Sequence, residues 1–132
     1  LNHINKINSI APLKLTRLAI NYIWFEFDEN AELLKKVYDH INFDLGDTEE
    51  LLLRTNNRQQ IKALTFNVIT TIKSGTVQNQ LTFENRKSLQ FHLDINNVPV
   101  ELIDSSEIDS YFKEMLNTLN QRISFCKDLI NG

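Results

Sequence analysis

The last quarter of the chain sets the first constraint on the fold. From Ile108 onward, Tyr111, Phe112, Met115, Leu116, Leu119, Ile123, Cys126 and Ile130 recur at helical spacing. Lys113, Glu114, Asn117, Asn120, Gln121 and Lys127 fill the opposite side. An apolar stripe of this width has to be laid against another layer of structure. The spacing predicts a helix over about 106–130 that buries Tyr111, Phe112, Met115, Leu116, Leu119 and Ile123. "DSSE" opens it, with Asp104 and Glu107, or Ser106 and Asp109, supplying the N-cap pattern.

The layer beneath is expected to be a sheet, because the period changes to two upstream. Leu64, Phe66, Val68, Thr70 and Ile72 alternate with Thr65, Asn67, Thr71 and Lys73, and Ile69 is the one apolar intruder on the polar side. "KSGT" is expected to turn the chain at Gly75. Val77, Leu81 and Phe83 then alternate with Gln78, Gln80, Thr82 and Glu84 as a second strand, and "ENRK" makes the next turn. Leu89, Phe91, Leu93 and Ile95 against Gln90, His92, Asp94 and Asn96 make a third strand, ended by Asn96-Asn97 and Pro99. Such a meander has one dry face and one wet face. "LLLRTNNRQQI" before it reads as a short strand or the approach to one. "ENAELLKKVYDHINF" reads as a shorter helix with Ala31, Leu34, Tyr38 and Ile41 on one face, and Asp28–Asn30 carries N-cap chemistry. Residues 1–10 fit a short helix or an irregular arm.

These elements predict a single α+β domain over 1–132. Its antiparallel sheet of about four strands is packed on one face by the long C-terminal helix and by the shorter helix after the first strand.

The first strand is the unusual one. Over residues 13–27 alternate side chains place Leu13, Leu15, Ala19, Ile23, Phe25 and Phe27 on one face. The other face carries Leu18, Ile20, Tyr22 and Trp24. A strand apolar on both faces is usually covered on both. Leu18, Ile20, Tyr22 and Trp24 are expected to lie toward the wet side of the meander or beside it, as a binding patch. Their cover is expected from residues 1–10, from the segment 44–60, or from a protein partner: a second copy, a different subunit or an extended apolar peptide. Tyr and Trp are enriched at such contacts.

No chemical motif competes with this patch. His92 and Asp94 share a strand face, but a metal or acid–base site needs further groups, so a solvated face is expected. Asp28-Glu29 and Glu49-Glu50 read as a helix start and a loop. The lone Cys126 cannot form an internal disulfide and lies on the apolar helix stripe, which predicts a buried inert thiol and suits a reducing cytoplasm. Arg54, Arg58 and Lys62 sit among Asn and Gln without aromatic interleaving, and the chain carries a net charge of −3, so no nucleic-acid partner is expected. No apolar run approaches the roughly 20 residues of a membrane span. The many Asn residues read as turn chemistry and compositional bias. No cofactor or metal is expected.

The meander, "FHLDINN" and "SEIDSYFKEML" resemble, over 62–130, the SecB-like export chaperones and the bacterial proteins that share their sheet-then-helix pattern. That resemblance implies oligomerisation and binding of non-native chains. A non-enzymatic protein-binding or assembly module, chaperone-like in the case the resemblance implies, is therefore the first functional expectation. The alternative is a small enzyme or ligand binder with a cavity between sheet and helices, lined by Tyr22, Trp24, Tyr38 and Phe91.

Overall fold

The computed structural model describes residues 15–41 and 50–131. The expected N-terminal arm, Leu13 and Glu49 lie outside them. The elements run β1 (Ala19–Phe27), α1 (Glu32–Ile41), β2 (Leu52–Ile61), β3 (Leu64–Gln78), β4 (Asn85–Asn97), a single 3-10 turn (Ser105–Glu107) and α2 (Ile108–Asn131). The four strands form one antiparallel sheet in the order β1-β4-β3-β2. The α+β architecture is the expected one, with both helices where the sequence places them.

The strands are partly different ones. Gly75 makes no turn: it stays in β3, extended and paired with Ser88. β3 and β4 form one long hairpin, turned at Asn79–Glu84, so "VQNQLTFE" is the end of a strand and a loop. Asn79 makes the turn, its side-chain Oδ1 accepting from the N–H of Leu81 (2.9 Å) and Thr82 (3.3 Å). The fourth strand is the polar segment before Lys62, a full ten residues long. β1 and β2 occupy opposite edges, so the stretch of chain between them, which includes α1, leads from one edge to the other. Residues 52–61 therefore cannot cover β1.

Cross-strand register defines the two faces. Ile20, Tyr22 and Trp24 of β1 lie opposite Ile95, Leu93 and Phe91 of β4. Val68, Thr70 and Ile72 of β3 meet those same β4 residues from the other side. Phe66, Ile72, Leu89, Phe91, Leu93 and Ile95 are all buried on this inner face. α2 crosses it. Tyr111 packs beside Phe66 with ring centroids 6.1 Å apart, and the Arg122 guanidinium donates to Thr70 Oγ1 at 3.0 Å.

Each helix is held at defined points. The buried carboxylate of Asp28 accepts from the N–H of Leu33 (2.8 Å) and Leu34 (3.0 Å), which caps α1 as the sequence suggests. Lys36 donates to the carbonyl of Ile130 at 3.0 Å, where a cation suits the end of α2. Asp104 caps the 3-10 turn through Ser106, and those hydrogen bonds hold its carboxyl below the usual range. Lys62, at φ 52° in the tight β2–β3 turn, reaches Glu107 at 2.7 Å. That hydrogen bond raises the ammonium above its ordinary value and ties the hairpin to the start of α2.

α2 buries Ile108, Tyr111, Met115, Thr118, Leu119, Cys126, Leu129 and Ile130. Leu116, expected in this set, is 50% exposed, while Phe112 and Ile123 are half-buried. The reason is angular. Tyr111, Met115, Leu119 and Cys126 centre the stripe on the sheet, and Leu116 lies about 100° round the helix from Met115. Leu116→Asp should therefore fold, with stability changed by about 1 kcal/mol or less, whereas Met115→Asp should not fold. Thermal denaturation of the two variants side by side checks this.

One polar side chain fixes how β1 enters the sheet. Asn97, expected as turn chemistry, is completely buried. Its Oδ1 accepts from the Leu18 N–H, and its Nδ2 donates to the carbonyls of Thr16 (3.2 Å) and Val98 (2.8 Å). The backbone N–H of Asn97 also donates to Leu18 O at 3.2 Å. Asn97→Ala strands two of these main-chain groups without partners, and the expected cost is roughly 2–3 kcal/mol. Urea unfolding midpoints of the wild type and the variant measure it.

Candidate functional site

β1 is an edge strand: β4 lies on one side of it, and among the described residues no strand lies on the other. Along that free edge the chain reads AINYIWFEF, nine residues without proline and with one charge, Glu26. The opposite edge, β2, reads LLRTNNRQQI, and Arg54 and Arg58 stand exposed among Asn and Gln. Charge and polarity along an edge discourage pairing with a further strand. β2 has that protection and β1 lacks it.

The structure places Ile20, Tyr22 and Trp24 on β1 and Leu18 just before it, on the inner side of the sheet rather than toward or beside the wet side. They share the inner face with the core. Leu18 is 4% exposed and Ile20 is half-buried. Trp24 lies flat on Phe91, ring centroids 4.8 Å apart and planes within 9°. Tyr22 leans on Trp24 at 5.3 Å and remains the most exposed of the four. The physical reason is packing: the apolar residues of β4 and β3 face α2, and register aligns Ile20, Tyr22 and Trp24 with them. Of the four residues suggested for a cavity lining, Trp24 and Phe91 are stacked on each other and Tyr22 leans on Trp24. The Trp24 indole Nε1 and the Tyr38 hydroxyl are buried without hydrogen-bond partners among the described residues.

A group of neighbouring apolar side chains left in water lies on the other face of the same strand. Ile23 is 55%, Phe25 47% and Phe27 44% exposed. Phe25 and Phe27 meet edge to face at 5.4 Å, and the Arg86 guanidinium, paired with Glu29, stacks 3.6 Å over the Phe27 ring. The sequence carried this signal in the alternation of Ile23, Phe25 and Phe27, which identifies a face without saying which layer covers it.

Elsewhere, apart from Leu52 (73% exposed) at the start of β2 and the half-buried Ile69, the outer face is polar and internally bonded. Asn96 Nδ2 donates to Asp94 Oδ1 (3.0 Å), Asn67 to Asn96 (3.1 Å) and Asn56 to Asn67 (3.3 Å), a ladder that crosses β4, β3 and β2. His92 Nε2 bonds Asn21 Oδ1 at 3.0 Å, so His92 and Asp94 have separate partners. Several of the asparagines read as turn chemistry are thus rungs of a sheet. Asp28 caps α1, Glu29 pairs with Arg86, and Arg54 and Arg58 line the β2 edge. Among the described residues no three His, Cys, Asp or Glu side chains gather as metal ligands, and no helix is long and apolar enough to cross a membrane.

Cys126 is fully buried under the sheet, and burial pushes its thiol up to about 11 despite the nearby Arg122. Since the thiolate is the nucleophile, the folded protein should leave a thiol reagent such as Ellman's reagent unreacted near pH 8. One equivalent should react promptly once denaturant is added.

Comparison of the chain with protein-family models, with curated proteins and with solved structures finds no match.

Proposed function

We propose that this chain is a non-enzymatic protein-binding or assembly module that takes up a partner polypeptide strand along the free edge of β1. The observation that carries this reading is the contrast between the two sheet edges. β2 is charged and polar, while β1 is long, apolar and bears a single charge on its inner side. Adding a strand at such an edge gives main-chain hydrogen bonds, and side chains at alternate positions then add specificity. Ile23, Phe25 and Phe27 would share one face with the incoming strand and Tyr22 the other. Their exposed area is enough to contribute several kcal/mol, at roughly 25 cal/mol per Å2, before association entropy is set against it.

The patch proposed for binding is therefore wider than Leu18, Ile20, Tyr22 and Trp24. Leu18 and Trp24 support it from below, Tyr22 borders it, and Ile23, Phe25 and Phe27 meet the partner. A second copy of the chain and a non-native chain in extended form both supply the required strand. The likeness to SecB-like export chaperones agrees with either, since it implies oligomerisation and binding of unfolded proteins. A reducing cytoplasm suits the single buried thiol.

The test is a pair of variants. Ile23→Lys/Phe25→Lys puts charge on the exposed face of the edge and should leave the thermal midpoint within a few degrees of the wild type. It should abolish self-association in light scattering, or binding of a permanently unfolded probe such as reduced, carboxymethylated α-lactalbumin. Trp24→Glu, by contrast, should unfold the domain, because its ring lies against Phe91 in the core. A wild type that stays monomeric at high concentration and ignores the unfolded probe would sink the proposal.

A further inference from the structure

The charged side chains of the sheet are sorted by face. Alternation along the strands points Arg54, Arg58, Lys73 and Arg86 outward, and Asp94 is the one acid beside them. The outer face is therefore basic, in a chain whose net charge is −3. Arg86 is neutralised by Glu29, and Asp94 accepts from Asn96. Arg54, Arg58 and Lys73 are exposed, and none of them makes an ion pair or a side-chain hydrogen bond among the described residues.

Register brings these cations beside the exposed rings of β1. Phe25 stands opposite Gln90 and Gln90 opposite Lys73, so Phe25 and Lys73 share a row with one polar side chain between them. Their strands lie about 10 Å apart. In the next row Ile23, His92, Thr71 and Arg54 are aligned in the same way. Arg58 follows four residues further along β2, about 13 Å from Arg54. Between Phe25 and Lys73 the surface is hollowed. Gly75 carries no side chain, and a Cβ there would meet nothing within 4 Å. With its partner Ser88, Gly75 floors an open cavity of about 400 Å3 bordered by Phe25, Lys73, Val77 and Gln90.

From these observations we infer that the outer face of the sheet binds single-stranded nucleic acid, with a base stacked on Phe25 above Gly75 and the phosphates along Lys73, Arg54 and Arg58. Single strands are held in this way elsewhere, by an aromatic platform beside a track of positive charge. The Gln90 amide offers both a donor and an acceptor to the edge of the base. No stretch of the sequence interleaves these groups: they come from four strands, and only the register assembles them. A duplex is the poorer match, because its stacked bases present no open face to Phe25. An acidic polypeptide would satisfy the cations but leave the hollow and the ring unused. This binding uses the sheet face and not the main-chain edge of β1. It goes beyond strand addition and does not depend on it, although Phe25 is common to the two.

The test is fluorescence anisotropy of a labelled oligothymidylate of about 12 nucleotides, titrated with the whole chain between about 50 and 200 mM salt. The wild type should bind with a Kd of roughly 1–100 µM at the lower salt, and three phosphate contacts should make log K fall against log salt with a slope of about −2. Arg54→Gln/Arg58→Gln should bring that slope to about −0.7. Phe25→Ala should weaken binding at least about fivefold and leave the slope unchanged. Gly75→Val fills the hollow without a clash, so it should weaken binding while melting no earlier than the wild type. The inference fails if the anisotropy does not change at about 100 µM wild-type protein. It also fails if Phe25→Ala or Gly75→Val, folded by thermal denaturation, binds as the wild type does. Competition by polyglutamate as strong as that of unlabelled oligothymidylate would likewise overturn it, since the cations would then hold any polyanion.

Discussion

The seating of β1 against β4 is the constraint on which the rest of the structure depends. β1 is the first strand, yet it pairs with the last, and it does so on the far side of the sheet from β2. That placement obliges the chain between β1 and β2 to pass from one edge to the other and leaves β1 as an edge among the described residues. Its register is held at the entry by Asn97 and at the exit by the Asp28 N–H, which donates to Lys87 O at 2.9 Å. A slip of one residue would send Tyr22 and Trp24 outward and bring Ile23 and Phe25 over Phe91. Both faces of the strand are apolar, so hydrophobic patterning alone opposes such a slip only weakly. The buried amide of Asn97 supplies the directionality that patterning lacks, because a shifted strand would leave it unbonded in the core.

The same ambiguity explains how much of the molecule could be read from the chain. Both helices and the alternation of β3 and β4 were legible, because each has one wet and one dry side and a clear period. β2 was legible only as a short strand or the approach to one, since a polar edge strand needs no alternation to hold its place. The hairpin was misread at Gly75 because glycine marks turns in most contexts, whereas here Asn79 supplies the turn and Gly75 simply extends. For the candidate site, the residues of β1 were legible and their orientation was not. Leu18, Ile20, Tyr22 and Trp24 could be grouped by a period of two, but only the layer above decides which group is buried. Leu116 was misplaced for a related reason: a wide helical stripe has margins, and the sheet chooses its centre.

Given that seating, the exposure of Ile23, Phe25 and Phe27 is not a generic property of an uncovered sheet. The rest of the outer face is dressed by the Asp94–Asn96–Asn67–Asn56 ladder, by His92 with Asn21, and by Arg54 and Arg58. Apart from Leu52 at the start of β2, apolar exposure on this face is concentrated at β1, beside the edge that carries no protecting charge. Open edge and apolar face therefore coincide on the same nine residues, which is the arrangement strand addition requires.

The Arg86 guanidinium joins this strand to the β3–β4 hairpin. It belongs to the arm of β4, stacks over the Phe27 ring and pairs with Glu29 just beyond the end of β1. Phe27 is thus partly roofed, while Ile23 and Phe25 are not, and the open part of the strip lies toward the middle of β1. A strand added there would meet its apolar contacts first at Ile23 and Phe25. Those two residues stand opposite His92 and Gln90 of β4, side chains too polar to extend the apolar strip across the sheet. The strip is therefore one strand wide, and only a second strand laid alongside β1 can widen it into a surface large enough to stay dry.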